Sequence, residues 1–387
     1  MGDNNENSKI VLLVDDAPSN IQAVNSILKD TYKTRIATNG ARALELAKVC
    51  PPPDLVLLDV SMPGMDGYEV CTRLKADPQT KDIPVIFLTG QTEIEEETHG
   101  FDVGAVDYIH KPFSPAVVKA RVQTHLMLRG IREQLARQLL VIQKELETAR
   151  EIQQSILPES VPQIVGLDIA ARYVPMSSVA GDFYDFIVLD DKHVGILVAD
   201  VSGHGMPAAL IASMLKIALS MQVDHADRPA EVLHGLNQAL CGKFQRQYVT
   251  AAYAFFDMVK STVTYAGAGH PPFLLWSTSS ANVRAIEQNG LFLGRFEFAT
   301  YSSLEVRLAP GDWGLLYTDG IPETTNAAKV EFGAERFHQF LRSQQNTLAD
   351  ELLEQLLVEL SLWSARTKGE DLDDDMTMVA IHVKDTR

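Results

Sequence analysis

The chain has 387 residues, and 46% of them are hydrophobic, so it is long enough for two or three domains with sizeable cores. Its formal net charge of -17 argues against nucleic acid or an anionic membrane surface as the main partner. Three cysteines, Cys50, Cys71 and Cys241, are too few for a disulfide framework, and we expect a cytoplasmic protein. The opening MGDNNENSK does not resemble a signal peptide and no apolar run is of bilayer length, so no membrane insertion is expected.

Residues 9–125 alternate apolar runs with amphipathic stretches, which predicts a first domain. The strand-like runs are KIVLLVDD, YKTRIATN, DLVLLDV, IPVIFLTG and VDYIHKP. Helices are predicted between them, for example at 18–30, 39–50 and 66–76. Near-continuous apolar strands that alternate with helices favour an α/β doubly wound fold, with five parallel strands covered on both faces.

Five polar residues follow the predicted strands at their carboxyl ends: Asp15, Asp16, Asp59, Thr89 and Lys111. Ligands bind at this edge of a parallel sheet, so we expect the five side chains to lie close together. Three carboxylates would repel one another there unless a divalent cation lay among them, and a lysine and a hydroxyl suit an added phosphoryl group. An isolated Asp-Asp pair is most often a solvated turn, but five residues in register favour a site.

The segments VDDAPSN, LLDVSMPGMDGYE, FLTG and YIHKPF closely resemble those of two-component receiver domains. The resemblance implies that Asp59 accepts a phosphoryl group, with a sensor histidine kinase as the partner that supplies it. It also implies that Asp15, Asp16 and Asp59 hold Mg²⁺. Thr89 and Lys111 would contact the phosphoryl group.

Two further features of receiver domains can be placed in this segment. Tyr108 matches the aromatic residue that reorients with the switch. The peptide bond between Lys111 and Pro112 is expected to be cis, which is otherwise infrequent. Because no motif residue is missing, the resemblance predicts a domain that can be phosphorylated.

The next segment, residues 126–157, predicts one long helix that links the two halves of the chain. Apolar residues recur along it at steps of three and four: Leu128, Ile131, Leu135, Leu139, Ile142, Leu146, Ala149, Ile152 and Ile156. An apolar stripe without a globular partner favours a parallel two-stranded coiled coil, which would make the protein a homodimer. Steps of four at Ile131, Leu135 and Leu139 depart from strict heptads. The alternative is a helix that folds back onto one of the domains.

From residue 158 to residue 387 the pattern changes to many short strands and a few long helices. The strand-like runs are DIAARYV, DFIVLD, HVGILVAD, TAAYAFFDM, STVTYAGAG, PPFLLW, SLEVRLA, WGLLYTDG and MTMVAIHV. Helices are predicted at 206–222, 229–243 and 347–366, with Thr347 in the cap position of the last one. This order favours an α+β fold in which helices cover a two-sheet sandwich.

Four acidic residues of this last segment lie at strand ends and in loops: Asp182 in GDFYD, Asp200 in ADVSGHG, Asp319 in YTDG and Asp374 in DLDDDMT. Glycines beside the first three allow the backbone to approach a ligand closely. Carboxylates without Cys or His favour Mg²⁺ or Mn²⁺, and four of them suffice for two ions. Two such ions activate water and neutralise the charge of a phosphate ester.

The segments VAGDFYDF, VADVSGHGMPAAL, YAGAGHPPFLLW, LAPGDWGLLYTDGIPET and DDDMT look like those of metal-dependent type 2C (PPM) Ser/Thr phosphatases, in the bacterial branch of sporulation and stress-response regulators. The resemblance implies two Mn²⁺ or Mg²⁺ ions. Asp182 and Asp200 would bind them, with Asp200 bridging the two ions. The carbonyl group of Val201 would be a further ligand, and Asp319 and Asp374 would complete the site.

The roles of some neighbouring residues stay open in the sequence. Asp375 is expected just outside the metal ligands, but the register within Asp373, Asp374 and Asp375 is open by one residue. His204 lies in a loop that is suitable for a group near the metals, and a role in the turn is at least as favoured. His270 in AGAGHPP is expected to be structural.

Together the motifs predict a response regulator in which phosphorylation of Asp59 controls a metal-dependent protein serine/threonine phosphatase. By the same resemblance, its substrate is expected to be a separate protein, a phosphorylated anti-sigma-factor antagonist. The alternative is a catalytically silent, phosphatase-like adaptor that binds a signalling partner, which the retention of all four carboxylates disfavours. A DNA-binding regulator is disfavoured because no short helix-turn-helix with a basic face follows the first domain. The sequence does not indicate whether phosphorylation activates or inhibits.

Overall fold

The parts of the chain that the computed structural model describes are residues 9–90, 101–177, 179–244, 246–277, 282–344, 347–365 and 372–384. The chain divides into two compact units, Met1–Val141 and Ile142–Arg387. None of the described helices is both long and apolar enough to cross a membrane.

The first unit is a parallel sheet with helices on its two faces. Its described strands are β1 (Ile10–Val14), β2 (Lys33–Ala37), β3 (Leu55–Asp59), β4 (Val85–Thr89) and β5 (Asp107–His110). They pair in parallel in the order β2-β1-β3-β4-β5. The described helices between them are α1 (Pro18–Leu28), α2 (Gly40–Ala47) and α3 (Gly67–Ala76). The predicted doubly wound, five-stranded parallel fold is confirmed.

Strands β1, β3 and β4 of this sheet are apolar up to their carboxyl ends because both of their faces are covered. Along β1, Leu12 and Val14 pack in a cluster with α2 and α3, whereas Val11 and Leu13 pack in a cluster with α1. All four side chains are at most 2% exposed. Alternate side chains of a strand point to opposite faces, so burial on both faces gives a continuous apolar run. Polar residues are therefore left for the strand ends.

A single helix of 42 residues, α4 (Pro115–Ile156), follows β5. Near its start, Val122 and Leu126 are buried in the core of the first unit. One turn later, Arg129 donates a hydrogen bond of 2.8 Å from Nη1 to the carbonyl oxygen of Asp54. The first turns of α4 therefore belong to the core of the first unit.

The middle of α4 carries the apolar stripe that the sequence indicates. Leu128, Ile131, Leu135 and Leu139 are each between 51% and 55% exposed. The prediction of one long helix is confirmed. The coiled coil that would cover these side chains in a homodimer stays a prediction.

The second unit contains two sheets. Its described strands are β6 (Leu167–Val174), β7 (Phe183–Val188), β8 (His193–Val201), β9 (Val249–Asp257), β10 (Thr262–Ala268), β11 (Phe273–Ser277), β12 (Val283–Ile286), β13 (Asn289–Gly290), β14 (Leu304–Arg307), β15 (Asp312–Tyr317) and β16 (Met376–Val383). One sheet has the order β13-β10-β9-β8-β7, with β14 also paired to β10, and the other has the order β12-β11-β15-β16-β6.

Helices cover the outer face of each sheet. The described helices are α5 (Met206–Ser220), α6 (Pro229–Leu240), α7 (Gly333–Ser343) and α8 (Ala349–Ser364). Helices α5 and α6 share a buried cluster with the β8–β9 side of the first sheet, and α7 and α8 share one with β15 and β16. Between the sheets, Ile196 of β8 and Ile381 of β16 belong to a third cluster. The predicted α+β two-sheet sandwich is confirmed.

Some local details differ from the sequence predictions. Helix α7 and the short strands β12 and β13 were not expected. The cap position of α8 is Leu348, so the assignment of Thr347 is wrong. The first backbone N–H of α8, at Ala349, instead donates a hydrogen bond of 2.9 Å to the carboxylate of Asp168 on β6, an acceptor that is remote in sequence.

Candidate functional site

The first candidate site lies at the carboxyl ends of β1 and β3. Asp59 is the last residue of β3, and Asp15 and Asp16 directly follow β1. One carboxylate oxygen from each of the three lies within 4.8 Å of the others. Asp15 and Asp59 are buried, whereas Asp16 is exposed. A compact set of oxygen donors with one solvent-facing member is suitable for Mg²⁺.

Lys111 reaches this acidic group from the loop after β5. Its Nζ atom lies 2.9 Å from Oδ1 of Asp59 and 3.0 Å from Oδ2 of Asp15. Burial raises the pKa of Asp59, which the hydrogen bond from Lys111 partly offsets. Burial lowers the pKa of Lys111, but the bonds to both carboxylates outweigh it and the pKa rises, so the ammonium group stays charged. The peptide bond between Lys111 and Pro112 is cis, as expected.

The two switch candidates lie on the neighbouring strands. Thr89 ends β4, one residue beyond the partner of Asp59 in the sheet. Tyr108 lies on β5 opposite Phe87, and its ring is 5.5 Å from the guanidinium carbon of Arg121. All five residues that the sequence placed at the strand ends are therefore found at one edge of the sheet.

The second candidate site is formed by strand ends of the two sheets in the second unit. Asp182 immediately precedes β7, and Asp200 is the penultimate residue of β8, the strand paired with β7. Asp319 lies two residues after β15, and Asp374 lies two residues before β16, the strand paired with β15. Each sheet therefore contributes two carboxylates.

These carboxylates lie close enough together for the negative charge of one to raise the pKa of another. Burial and then Asp200 raise the pKa of Asp182. Burial, followed by Asp319 and Asp374, raises the pKa of Asp200 to about 7. Burial and Asp374 also raise the pKa of Asp319. An oxygen-only donor set of this kind fits divalent cations, which would keep the carboxylates ionised.

The second site is more open than the first. Within the described residues, Asp15, Asp16 and Asp59 form the group in which three ligand atoms lie mutually within 4.8 Å. The carboxylates of the second unit are spread more widely, and their burial ranges from the buried Asp182 to the exposed Asp374. A wider cluster is compatible with two ions better than with one.

The run of three aspartates separates into three different environments. Asp375 is buried and accepts hydrogen bonds of 2.7 Å from the backbone N–H groups of Met176 and Gly181. Asp373 accepts a hydrogen bond of 2.7 Å from Oγ1 of Thr325. Asp374 is exposed, and its Oδ1 atom accepts a hydrogen bond of 2.8 Å from the N–H of Asp375. Its charge adds to burial in raising the pKa values of Asp200 and Asp319, so it is a member of the run that faces the cluster.

The remaining candidates lie near the end of β8. The carbonyl oxygen of Val201 faces Gly181, where an added Cβ atom would lie only 2.7 Å away. His204 lies in the exposed turn between Gly203 and Gly205, both of which have positive φ angles. The structure thus places Val201 beside the cluster and His204 in a solvent-facing turn.

His270 is remote from solvent. It is 3% exposed, its Nδ1 atom lies 2.8 Å from Oγ1 of Thr250, and burial lowers its pKa to about 3. A neutral, buried imidazole held by a strand hydroxyl fits the structural role that the sequence suggested.

Two residues near the site were missed by sequence reasoning. Thr318 is buried and donates a hydrogen bond of 2.8 Å from Oγ1 to Oδ2 of Asp182. The sequence feature that could have indicated Thr318 is its place in YTDG, as a polar residue between the apolar strand β15 and Asp319. Gln153 of α4 is buried against the backbone of Ala180, and the helical pattern alone gives no sign of this contact.

The comparisons with known proteins agree with both halves of the chain. The family described as Stage II sporulation protein E (SpoIIE) matches residues 190–384, and the response regulator receiver domain matches residues 11–123. The phosphoserine phosphatase RsbU of Bacillus subtilis (strain 168) is 32% identical over 266 residues, which are 68% of this chain and 75% of RsbU. The phosphoserine phosphatase RsbP of the same organism is 28% identical over 246 residues, 62% of this chain and 58% of RsbP.

A solved structure supports the fold of the second unit. The SiaA-PP2C domain of Pseudomonas aeruginosa superposes with a TM-score of 0.56 at 24% identity, over 63% of this chain and 98% of that domain. The fold and the two sites define the class of protein, a receiver domain joined to a metal-dependent protein serine/threonine phosphatase domain. The chain belongs to the SpoIIE family, whose match extends over half of its length. Both resemblances drawn from the sequence are confirmed.

Proposed function

We propose that this chain is a response regulator in which phosphorylation of Asp59 controls the hydrolysis of a phosphoserine or phosphothreonine on a partner protein. The observation that carries the proposal is the cluster of Asp182, Asp200, Asp319 and Asp374, to which paired strands of each sheet contribute two carboxylates. Burial, and then the neighbouring carboxylates, raise the pKa values of Asp182, Asp200 and Asp319, so a cation among them would favour their ionised forms. We place the receiver domain at residues 9–125, the connector at 126–157 and the phosphatase domain at 158–387.

In the receiver domain, Asp59 is the proposed phosphoacceptor. Asp15, Asp16 and Asp59 would hold Mg²⁺, which neutralises the incoming phosphoryl group. Lys111 already pairs with Asp59 at 2.9 Å and would contact a phosphoryl oxygen once that carboxylate carries a phosphoryl group as an acyl phosphate. Thr89 would contact the same group from the end of β4. A sensor histidine kinase would be the phosphodonor.

In the phosphatase domain, the four carboxylates and the carbonyl group of Val201 would hold two Mn²⁺ or Mg²⁺ ions. The chemistry that such ions supply is the activation of water and the neutralisation of charge on a phosphate ester. Asp375 holds the backbone of Gly181 and so supports the loop that carries Asp182. The solvent-facing position of His204 leaves it as an outer group beside the cluster.

The proposed substrate is a phosphorylated anti-sigma-factor antagonist. The support is the similarity to two phosphoserine phosphatases, RsbU over three quarters of its length and RsbP over 58% of its length. The competing function is a silent adaptor that binds a signalling partner. Such an adaptor has no need of a cluster of mutually repelling carboxylates, and this chain retains all four.

The test is Mn²⁺-dependent hydrolysis of a chromogenic phosphate ester by the full chain, with and without beryllofluoride. We expect Asp200→Asn to abolish hydrolysis, because it removes a carboxylate from the centre of the cluster. Asp224→Asn, at an exposed position of the same unit, is the matched control and should retain full activity. Any effect of beryllofluoride gives the sign of the coupling.

A phosphorylated antagonist protein is the second substrate to assay. Hydrolysis of neither substrate by a folded chain in Mn²⁺ would contradict the phosphatase proposal and favour the adaptor. Equal activity of Asp200→Asn and the unaltered chain would contradict the proposed metal site.

A further inference from the structure

The last turn of α4 contains a glutamine that behaves unlike its neighbours. Gln153 is 6% exposed, whereas Ile152 is 61% exposed and Gln154 is also exposed. Its Nε2 atom donates a hydrogen bond of 2.7 Å to the carbonyl oxygen of Ala180, and its Oε1 atom accepts one of 3.0 Å from the N–H of the same residue. The side-chain amide therefore pairs with both backbone groups of Ala180.

Ala180 belongs to a segment with little room to move. The next residue, Gly181, donates from its N–H to Oδ2 of Asp375 at 2.7 Å and accepts from the N–H of Val201 at 3.3 Å. A Cβ atom on Gly181 would lie 2.7 Å from the carbonyl oxygen of Val201. Residues 180–182 are thus held against the end of β8, the strand that carries Asp200.

Each contact of this segment has a different origin. Asp375 comes from the loop before β16 and Val201 from β8, so both belong to the sandwich itself. Gln153 comes from the connector helix. It is therefore the contact by which α4 reaches the backbone next to Asp182.

We propose that Gln153 is a positioning residue for the metal site, which fixes the backbone of residues 180–182 and thereby the placement of Asp182 relative to Asp200. This inference rests on the proposed phosphatase function and adds a route by which the connector acts on it. A shift or rotation of the last turn of α4 would displace Ala180 first and Asp182 next. By reciprocity, occupancy of the metal site would favour the docked position of the helix end.

The physical argument concerns buried polar groups. Without the amide of Gln153, the N–H and carbonyl groups of Ala180 lose their partners in a buried place, and the segment relaxes to find others. Loss of a group that orients a metal ligand lowers metal affinity by about 10- to 100-fold. If Gln153 only stabilised the fold, its substitution would lower the free energy of unfolding and leave the Mn²⁺ affinity unchanged.

The test compares Gln153→Met with Gln154→Met in the full chain. Methionine keeps the length and lacks the amide, and Gln154 is the adjacent, exposed glutamine. Calorimetric titration with Mn²⁺ is the first readout, and the same titration of Asp200→Asn identifies the heat that comes from the receiver site at Asp15, Asp16 and Asp59. Hydrolysis of the chromogenic ester against Mn²⁺ concentration is the second, and thermal unfolding in EDTA monitors folding of the metal-free chain.

We expect Gln153→Met to bind Mn²⁺ at least about 10-fold more weakly and to regain the kcat of the unaltered chain at saturating Mn²⁺. Gln154→Met should match the unaltered chain in both readouts. Unchanged Mn²⁺ affinity in a folded Gln153→Met chain would overturn the inference. If Gln153→Met is unfolded in EDTA, Gln153→Asn takes its place in the same titration. Its amide is on a shorter side chain, so we again expect weaker Mn²⁺ binding, and an unchanged Mn²⁺ affinity would overturn the inference.

The inference and the proposed function fail in distinguishable ways. Calorimetry reads the metal site without turnover, so weaker binding by Gln153→Met supports the positioning role even if no substrate is hydrolysed. Absence of hydrolysis by the unaltered chain would count against the proposed function alone.

Discussion

Thr318 donates a hydrogen bond of 2.8 Å from its Oγ1 atom to Oδ2 of Asp182, and this Oγ1 atom also accepts a hydrogen bond of 2.9 Å from the N–H of Thr377. Thr318 follows β15 and Thr377 lies on β16, so one buried hydroxyl connects two strands of one sheet to a carboxylate beside the other sheet. The hydroxyl bond lowers the pKa of Asp182, against the larger effect of burial that raises it. Thr318 therefore helps to keep Asp182 available as an anion.

We predict that Thr318→Val lowers the free energy of unfolding by about 1–3 kcal/mol, because it leaves the N–H of Thr377 without its acceptor in a buried place. It should also weaken Mn²⁺ binding, since Asp182 loses an orienting donor. Urea unfolding followed by tryptophan fluorescence measures the first effect, and all three tryptophans lie in the second unit. Thr318→Ser keeps the hydroxyl and is the control. Equal losses in both variants would mean that the site responds to any change of this side chain and that the hydroxyl group has no special role.

The positions of the site residues could be predicted because their signals are local. Asp59 and Asp200 each lie at the end of a short apolar run, and such a run reads as a buried strand whatever surrounds it. In the first unit, parallel strands then bring their carboxyl ends, and with them the carboxylates, to one edge of the sheet. The resemblance to two families supplied the roles, which the residue pattern alone left open.

The features that could not be predicted depend on partners remote in sequence. Gln153 and Gln154 are equivalent in a helical pattern, and only the contact with Ala180 separates them. Thr347 has the residue type of a helix cap, but Asp168, 181 residues from the capped N–H, fills that role. Helix α7 buries only Phe337 and Leu341 within its bounds, so its apolar face is too short to be distinguished from a loop by length in the sequence.

Phosphorylation of the receiver domain should depend on one carboxylate. We predict that Asp59→Asn abolishes labelling by a small phosphodonor such as acetyl phosphate, because the amide cannot accept the phosphoryl group and offers Mg²⁺ a weaker donor. Intact protein mass measures the label. Asp102→Asn, at an exposed position of the same unit, should be labelled like the unaltered chain. A labelled Asp59→Asn chain would show that another residue is the acceptor.

A second prediction for the phosphatase domain concerns pH. His193 lies with Nδ1 2.8 Å from Oδ1 of Asp190 and Nε2 3.3 Å from Oδ1 of Asp257, beside Lys260. The hydrogen bond to Asp190 raises the pKa of His193 above its ordinary value of 6.5, and burial opposes this only in part. Because the pKa of His193 is higher in the folded chain than in the unfolded chain, protonation of His193 stabilises the fold. This stabilisation is complete at a pH below the pKa of the unfolded chain, and it is lost as the pH rises through the pKa of the folded chain.

We therefore expect His193→Gln to destabilise the second unit more at about pH 5.5 than at about pH 8.5, by up to about 1 kcal/mol for a partly exposed ion pair. Urea unfolding at the two pH values, read by tryptophan fluorescence, measures the difference. Asp190→Asn should reduce the same pH dependence, because it removes the carboxylate that contributes most to the raised pKa of His193. A loss of stability that is equal at both pH values would mean that the contact is steric and that the charge of His193 contributes nothing.

The exposed stripe of α4 leads to the last prediction. Leu135 and Leu139 are 54% and 52% exposed, and full burial of such a side chain is worth about 1.5–3 kcal/mol. A parallel coiled coil would bury both of them in each of two chains, so we expect the full chain to sediment as a dimer at micromolar concentration. Leu135→Gln combined with Leu139→Gln should shift it to a monomer. Arg137→Gln, between them in sequence and on the opposite face of the helix, should leave the dimer intact. An unaltered chain that sediments as a monomer would rule out the coiled coil and assign the stripe to another partner.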